Sequence, residues 1–290
     1  AKAIALLIHH PGDLFDYEDG KPNASPIDQE IPPIFALPTT AGTGSEVGRS
    51  AVVSDDKSKV KKILFSPRLL PSEVFVDPEL TLYLPADITA TTGMDAMTHL
   101  IEAFLSLGFH PMADGIALEG FRLCAKNLEK AVTFAKKPPQ DLATFLHIRG
   151  MMMNAAYMGA VAFQKGLGVT HSCAHALSTV CDTHHGLANG VLLPYTMAFN
   201  LEAVPDRFLR LAQVAEISAE KPAHFIDWIV KLRRNIGIPH CLQDIGVKQE
   251  QLENLVQVAI QNSCHQSNPC PVSEKDFFHI FSTAYQGKIG

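Results

Sequence analysis

GLGVTHSCAHALSTVCDTHHGLANG, residues 166–190, decides how the chain reads. It carries four of the thirteen histidines and a single charged side chain, Asp182. His171 and His175 stand four apart, so on a helix they share one face. His184 and His185 come just ahead of Gly186, where a chain can turn. Two imidazole-bearing segments joined by a short connection can close on a metal ion. Upstream, GMDAMTHLIEAF (93–104) sets Asp95 and His99 at i and i+4, again on one helical face. Asp95, His99, His171 and one of His184 or His185 make three imidazoles and one carboxylate. That donor set suits Fe(II), Zn(II), Co(II) or Ni(II) and disfavours Mg and Ca. The competing account of Asp95 and His99 is a buried hydrogen-bonded pair without a metal.

Four protein donors leave room for a substrate oxygen. A bound metal acts there as a Lewis acid and lowers the pKa of an alcohol or water, from about 16 to about 7 for water in the best case. His175, one turn beyond His171, is expected near the metal without binding it, where a neutral imidazole can pass a proton to solvent. Glu102 either orients His99 from behind or is a surface carboxylate.

The rest of the composition narrows the class. At 290 residues, 47% of them hydrophobic, the chain can bury a large core and hold two domains. A formal charge of −6 with no Lys/Arg-rich run argues against nucleic acid or an anionic membrane as partner. Cys124, Cys173, Cys181, Cys241, Cys264 and Cys270 show no CxxC and no disulfide-framework spacing. They suit a reducing, cytoplasmic setting and read mostly as small buried hydrophobes. Cys173 and Cys181, inside the histidine segment, are alternatively soft metal ligands, a reading disfavoured because the histidines and Asp95 already fill a site. The uncharged runs Gly150–Gln164 and Gly166–Cys181 are each shorter than a membrane span and read as core helices.

Along the chain, AKAIALLI reads as a short helix broken by HHPGD, with His9 and His10 solvated. IFALPTT (34–40) reads as a buried strand entering the loop AGTGSE (41–46). Its glycines and hydroxyls make either an ordinary turn, the reading the residues alone favour, or a cradle for a phosphate or nicotinamide amide. RSAVVSDD and KVKKILFS flank a polar turn at Asp55–Lys59, a hairpin pattern that puts Lys61 and Lys62 on opposite faces. VFV (74–76) is one more strand. After Pro85 the spacing is helical to the end, opening with a helix that Asp87 can cap, and the domain boundary is placed near Leu84.

Four stretches now carry a family likeness. LPTTAGTGSE, GMDAMTHLIEAF, GVTHSCAHAL and THHGLANGVLLP occur in the order and spacing of the iron-containing (group III) alcohol dehydrogenases. The likeness runs through IGIPHCLQDIGV and NPCPVSEKDF to cover nearly the whole chain. It implies the dehydroquinate synthase-like, iron alcohol dehydrogenase fold. Here that would be a partial α/β nucleotide-binding domain over 1–84 and an all-helical metal-binding catalytic domain over 85–290. It implies Fe(II), or Zn, on Asp95, His99, His171 and His185, the last chosen over His184 because that ligand directly precedes the glycine. It makes His175 a proton-relay candidate near the nicotinamide, and Thr39, Thr40, Thr43 and Lys61 contacts of NAD or NADP. The implied reaction is reversible hydride transfer between NAD(P) and an alcohol/aldehyde pair, in an enzyme that assembles as a homodimer or larger homo-oligomer.

The family's Gly-rich pyrophosphate turn and first strands have no counterpart here, and AKAIALL resembles the helix that follows that turn. The expectation is a truncated form with a complete metal domain and weakened dinucleotide affinity. Other readings are a zinc-dependent glycerol dehydrogenase-like polyol oxidoreductase, a metal-assisted hydrolase, and a metal-binding domain without turnover. The hydrolase lacks a Glu at HExxH spacing.

Overall fold

The sequence changes character near Pro85, and the backbone changes with it. This computed structural model describes residues 1–55 and 61–289. Within them every strand precedes Pro85 and long helices follow it. α1 (Lys2–His9) buries Leu6 in a small cluster with Tyr17, Leu64 and Leu69. His10 is not solvated. It is buried, with Nδ1 3.2 Å from the Leu6 carbonyl and Nε2 accepting the Gln29 N–H at 3.0 Å. His9 is exposed, as expected.

Four short strands follow: β1 (Phe35–Ala36), β2 (Ser50–Ser54), β3 (Lys61–Phe65) and β4 (Glu73–Val74). β2 and β3 form the expected antiparallel hairpin, with Ser50 opposite Phe65 and Ser54 opposite Lys61. Beyond Asp55 its turn lies outside the described residues. β1 pairs in parallel with β4, and the two make a separate sheet. The buried strand expected over 34–40 is therefore reduced to two residues, and it is not buried, since Phe35 and Leu37 are each 57% exposed. An apolar run records what a strand would bury, not whether a covering layer is present.

The helical part begins with α2 (Ala86–Leu105). Asp87 lies in its first turn, where an acid complements the helix dipole, and Pro85 holds the cap position instead. α3 (Pro111–Lys136), α4 (Leu142–Ala162), α5 (Val169–Val180) and α6 (His185–Asn200) follow, then α7 (Pro205–Val214), α8 (Ala223–Ile236), α9 (Leu252–Gln261) and α10 (Glu274–Gln286). Every residue of α2 from Gly93 to Leu105 is buried. A helix covered all round is the axis of its domain, and α2 is packed by α3, α4 and α6. Gly186 makes one of these contacts possible. It lies in the first turn of α6 rather than at a bend, and a Cβ there would stand 2.3 Å from the Thr91 carbonyl oxygen of α2. The bend is supplied by Asp182, at φ 51°.

Candidate metal centre

Three helices bring the polar residues of the core to one place. α2 contributes Asp95 and His99, α5 contributes His171 and His175, and α6 contributes His185. Asp95, His171 and His185 each offer a donor atom within 4.8 Å of the others'. Asp95 Oδ1 is 3.9 Å from His171 Nε2 and 3.5 Å from His185 Nε2. His99 stands just outside this close set. Its Nδ1 is 3.9 Å from Asp95 Oδ2, and its ring stacks between Phe163 and His171 at centroid distances of 4.9 and 4.4 Å. His184 turns away: it is exposed and caps α6, its Nδ1 accepting the Leu187 N–H at 3.4 Å. One residue of register thus separates a helix cap from a site residue.

Glu102 resolves differently from either reading of the sequence. It is buried and serves His171, not His99. The first turn of α5 has no side-chain cap of its own, because Gly168 occupies the cap position. Glu102 supplies one from α2, accepting the N–H groups of Gly168 at 3.0 Å, Thr170 at 2.6 Å and His171 at 3.4 Å. Its Oε2 also accepts from His171 Nδ1 at 2.6 Å. Burial pushes the Glu102 carboxyl up, and these donors oppose the rise. With the ring proton on Nδ1, His171 Nε2 is a bare lone pair directed at Asp95.

Neither His171 Nε2 nor His99 Nδ1 has a hydrogen-bond partner among the described residues, although both are buried. Asn189 Oδ1, in the same cluster, also lacks a partner. An unsatisfied buried polar atom costs about 1–3 kcal/mol, and two bare ring nitrogens side by side ask for an explanation. A divalent transition metal accepts imidazole nitrogen and carboxylate oxygen together, so the donor chemistry fits one. The ionisation states agree. Burial, then His99 and His185, hold the His171 imidazole well below its ordinary range. Burial, then His185, His171 and Lys61, do the same at His175. His185 is lowered by burial against an opposing pull from Asp95. Burial alone would raise Asp95, but His99, His185, His171 and the Asn189 amide outweigh it and leave the carboxyl below its usual range. Imidazoles at His171 and His185 that resist protonation, beside a carboxylate that resists neutralisation, suit a metal, which binds the deprotonated forms.

The loop 41–46 reaches this cluster. Gly44, at φ +66°, lets the loop lie against α4, where a Cβ would stand 2.7 Å from the Ala156 carbonyl oxygen. Thr43 Oγ1 then donates to Asp95 Oδ2 at 3.2 Å. Thr39 and Thr40, just ahead of this loop in the chain, are exposed. Lys61 and Lys62 separate as β3 requires: Lys62 pairs with Asp55 at 3.0 Å, while Lys61 is exposed and its charge is felt at His175 and His185. Asn189, which the sequence reading passed over, donates to Asp95 Oδ1 at 2.8 Å and lies 3.2 Å from His185 Nε2. Its signal was present, four residues after His185 on the same helical face.

Residues 89–285 match the family model described as Fe-containing alcohol dehydrogenase family, C-terminal, and residues 1–78 match iron-containing alcohol dehydrogenase. The chain belongs to the iron-containing alcohol dehydrogenase family. Among relatives of this family, 1,3-propanediol dehydrogenase of Citrobacter freundii is 38% identical over 98% of this chain and 72% of its own length. The NAD-dependent methanol dehydrogenase of Bacillus methanolicus is 35% identical over 98% of this chain and 73% of its own. The crystal structure of a 1,3-propanediol oxidoreductase superposes with a TM-score of 0.89 at 36% identity, again over 98% of this chain and 73% of the other. The fold is that of the iron alcohol dehydrogenases: an α/β N-terminal part and an all-helical C-terminal part.

Proposed function

We propose that this iron-containing alcohol dehydrogenase interconverts an alcohol and its aldehyde with NAD or NADP, using iron or zinc held by Asp95, His99, His171 and His185. The observation that carries the reading is the pair of bare, buried imidazole nitrogens beside the Asp95 carboxylate. A hydrogen-bonded core has no use for them. When bound, the metal supplies Lewis-acid polarisation of the substrate oxygen.

The chain's own groups then have definite tasks. Asp95 provides the negative charge that balances the cation, and Asn189 and Thr43 hold its two oxygens. Glu102 fixes the His171 tautomer, and an acceptor behind a ligating imidazole also raises its basicity. His175, whose ring centroid is 5.1 Å from that of His185, is the proposed hydrogen-bonding partner of the substrate oxygen. Thr39, Thr40 and Thr43 on the loop and Lys61 on β3 are the proposed dinucleotide contacts. Lys61 carries positive charge on the exposed side of the site, which suits an anionic cofactor. Hydride passes between the substrate carbon and the nicotinamide, and the hydroxyl proton exchanges with solvent.

The two family matches meet between residues 78 and 89, which supports a division into units 1–84 and 85–290. No helix among the described residues is long and apolar enough to cross a membrane, and the six cysteines are free, in keeping with a cytoplasmic enzyme. A homodimer is the proposed assembly. The test is anaerobic loading with Fe(II) or Zn(II), followed by alcohol oxidation monitored through nicotinamide absorbance. Turnover that requires both metal and dinucleotide, and vanishes in Asp95→Ala, is expected. Bound metal with neither dinucleotide binding nor turnover overturns the enzymatic reading in favour of a metal-stabilised domain.

A further inference from the structure

His171 and His175 lie one turn apart on α5, the first buried and the second half-buried, yet their Nδ1 atoms meet opposite partners. At His171 the partner is an acceptor, the Glu102 carboxylate at 2.6 Å. At His175 it is a donor, the Asn262 amide Nδ2 at 2.8 Å. Which way the Asn262 amide faces is settled by its other side. Asn262 Oδ1 accepts the backbone N–H of Cys264 at 3.0 Å, capping the short turn Ser263–Ser267, and accepts the Ser172 hydroxyl at 3.0 Å. Ser172 Oγ is in turn occupied as acceptor of the His265 backbone N–H at 3.0 Å. A backbone N–H cannot be an acceptor, so Oδ1 must face Cys264, and the NH2 group must face His175.

We propose that Asn262 is a positioning residue that holds neutral His175 in the Nε2–H tautomer, and so keeps it out of the ligand set. A neutral imidazole that accepts at Nδ1 carries its proton on Nε2. That nitrogen has no lone pair for a metal, whereas His171, with its proton on Nδ1, offers one. In HSCAH the identity of the two histidines is the same, and the remote residue behind each ring assigns the role. The same tautomer makes His175 Nε2 an N–H donor, rather than a proton acceptor, toward the substrate oxygen proposed as its partner. A proton-accepting relay, the role its sequence position implies, needs the opposite tautomer. The inference rests on the reading of His171 and His185 as ligands, but its test does not pass through metal binding.

The measurement is long-range 1H–15N correlation of the histidine rings in the 15N-labelled 290-residue chain at neutral pH without metal. His171 and His175 are assigned through their own side-chain correlations. His175 is expected to show a bare Nδ1 and a protonated Nε2, and His171 the reverse. In Asn262→Asp, which puts an acceptor where the amide donor stood, His175 Nδ1 is expected to gain a proton. A protonated Nδ1 at His175 in the parent, or an Nδ1 left bare in Asn262→Asp, overturns the proposal. A bare Nδ1 at His171 counts instead against the ligand reading and leaves Asn262's role intact. The parent spectrum decides even where the variant does not fold.

Discussion

Two regions of this molecule treat their apolar residues in opposite ways. Along α2 every side chain from Gly93 onward is enclosed, and the polar ones converge on partners or on one another. In β1 and directly after β1 and β4, Phe35, Leu37 and Phe75 are 57%, 57% and 51% exposed, and the sheet ends after two strands. The lesson is that packing, not hydrophobicity, decides where a substitution is felt. In the helical region one added methyl group meets backbone. In the strand region removal of a whole ring meets water.

Gly186→Ala tests the enclosed side most severely. Its Cβ would stand 2.3 Å from a carbonyl oxygen that belongs to α2 itself. Overpacking against backbone is expected to cost about 3 kcal/mol, read as a lowered urea midpoint. Wild-type stability in this variant would mean that α6 does not sit against α2 as described. Glu102→Gln comes next. The amide keeps the shape but loses the charge-assisted bond to His171 Nδ1, and metal affinity is expected to fall by about 10–100-fold. Competition with a chromophoric chelator measures it, and an unchanged affinity would detach Glu102 from the centre.

Acid probes the same enclosure without a mutation. Folded His171 and His175 have pKa values below the ordinary 6.5, so the unfolded chain binds more protons than the folded one as pH falls. Their contribution to stability is complete above 6.5 and is lost progressively below it. The metal-free chain should lose about 1.4 kcal/mol per pH unit for each of these rings until the folded form is itself protonated. A flat profile between neutrality and mild acid would show that the rings are open to water. The smallest effect belongs to the strands. Phe35→Ser and Phe75→Ser are expected to change stability by less than about 0.5 kcal/mol. A loss of about 2 kcal/mol or more would show that this face is covered in solution.

Legibility in the sequence follows the same division. Helical spacing exposes which residues share a face, so Asp95 with His99 and His171 with His175 could be read from their four-residue separations. The choice of His185 over His184 depended on family likeness, since a histidine at a helix cap and one in the first turn look alike in a string. The residues that act from behind were harder. Glu102 lies 69 positions from His171, and Asn262 lies 87 from His175, so no local pattern links them. Asn189 was within reach, hidden only because an amide is seldom considered beside imidazoles. The strand at 34–40 failed for a different reason: its burial depends on layers that its own residues do not encode.

The proposed centre is a metal held between α2, α5 and α6 by Asp95, His171 and His185, joined by His99. Metal analysis of the parent, His185→Ala and His184→Ala, each purified without added metal and then offered Fe(II) or Zn(II), tests it most directly. About one ion per chain is expected in the parent, kept in His184→Ala and lost in His185→Ala. A folded parent that takes up neither metal, or a site that survives in His185→Ala and fails in His184→Ala, would contradict it.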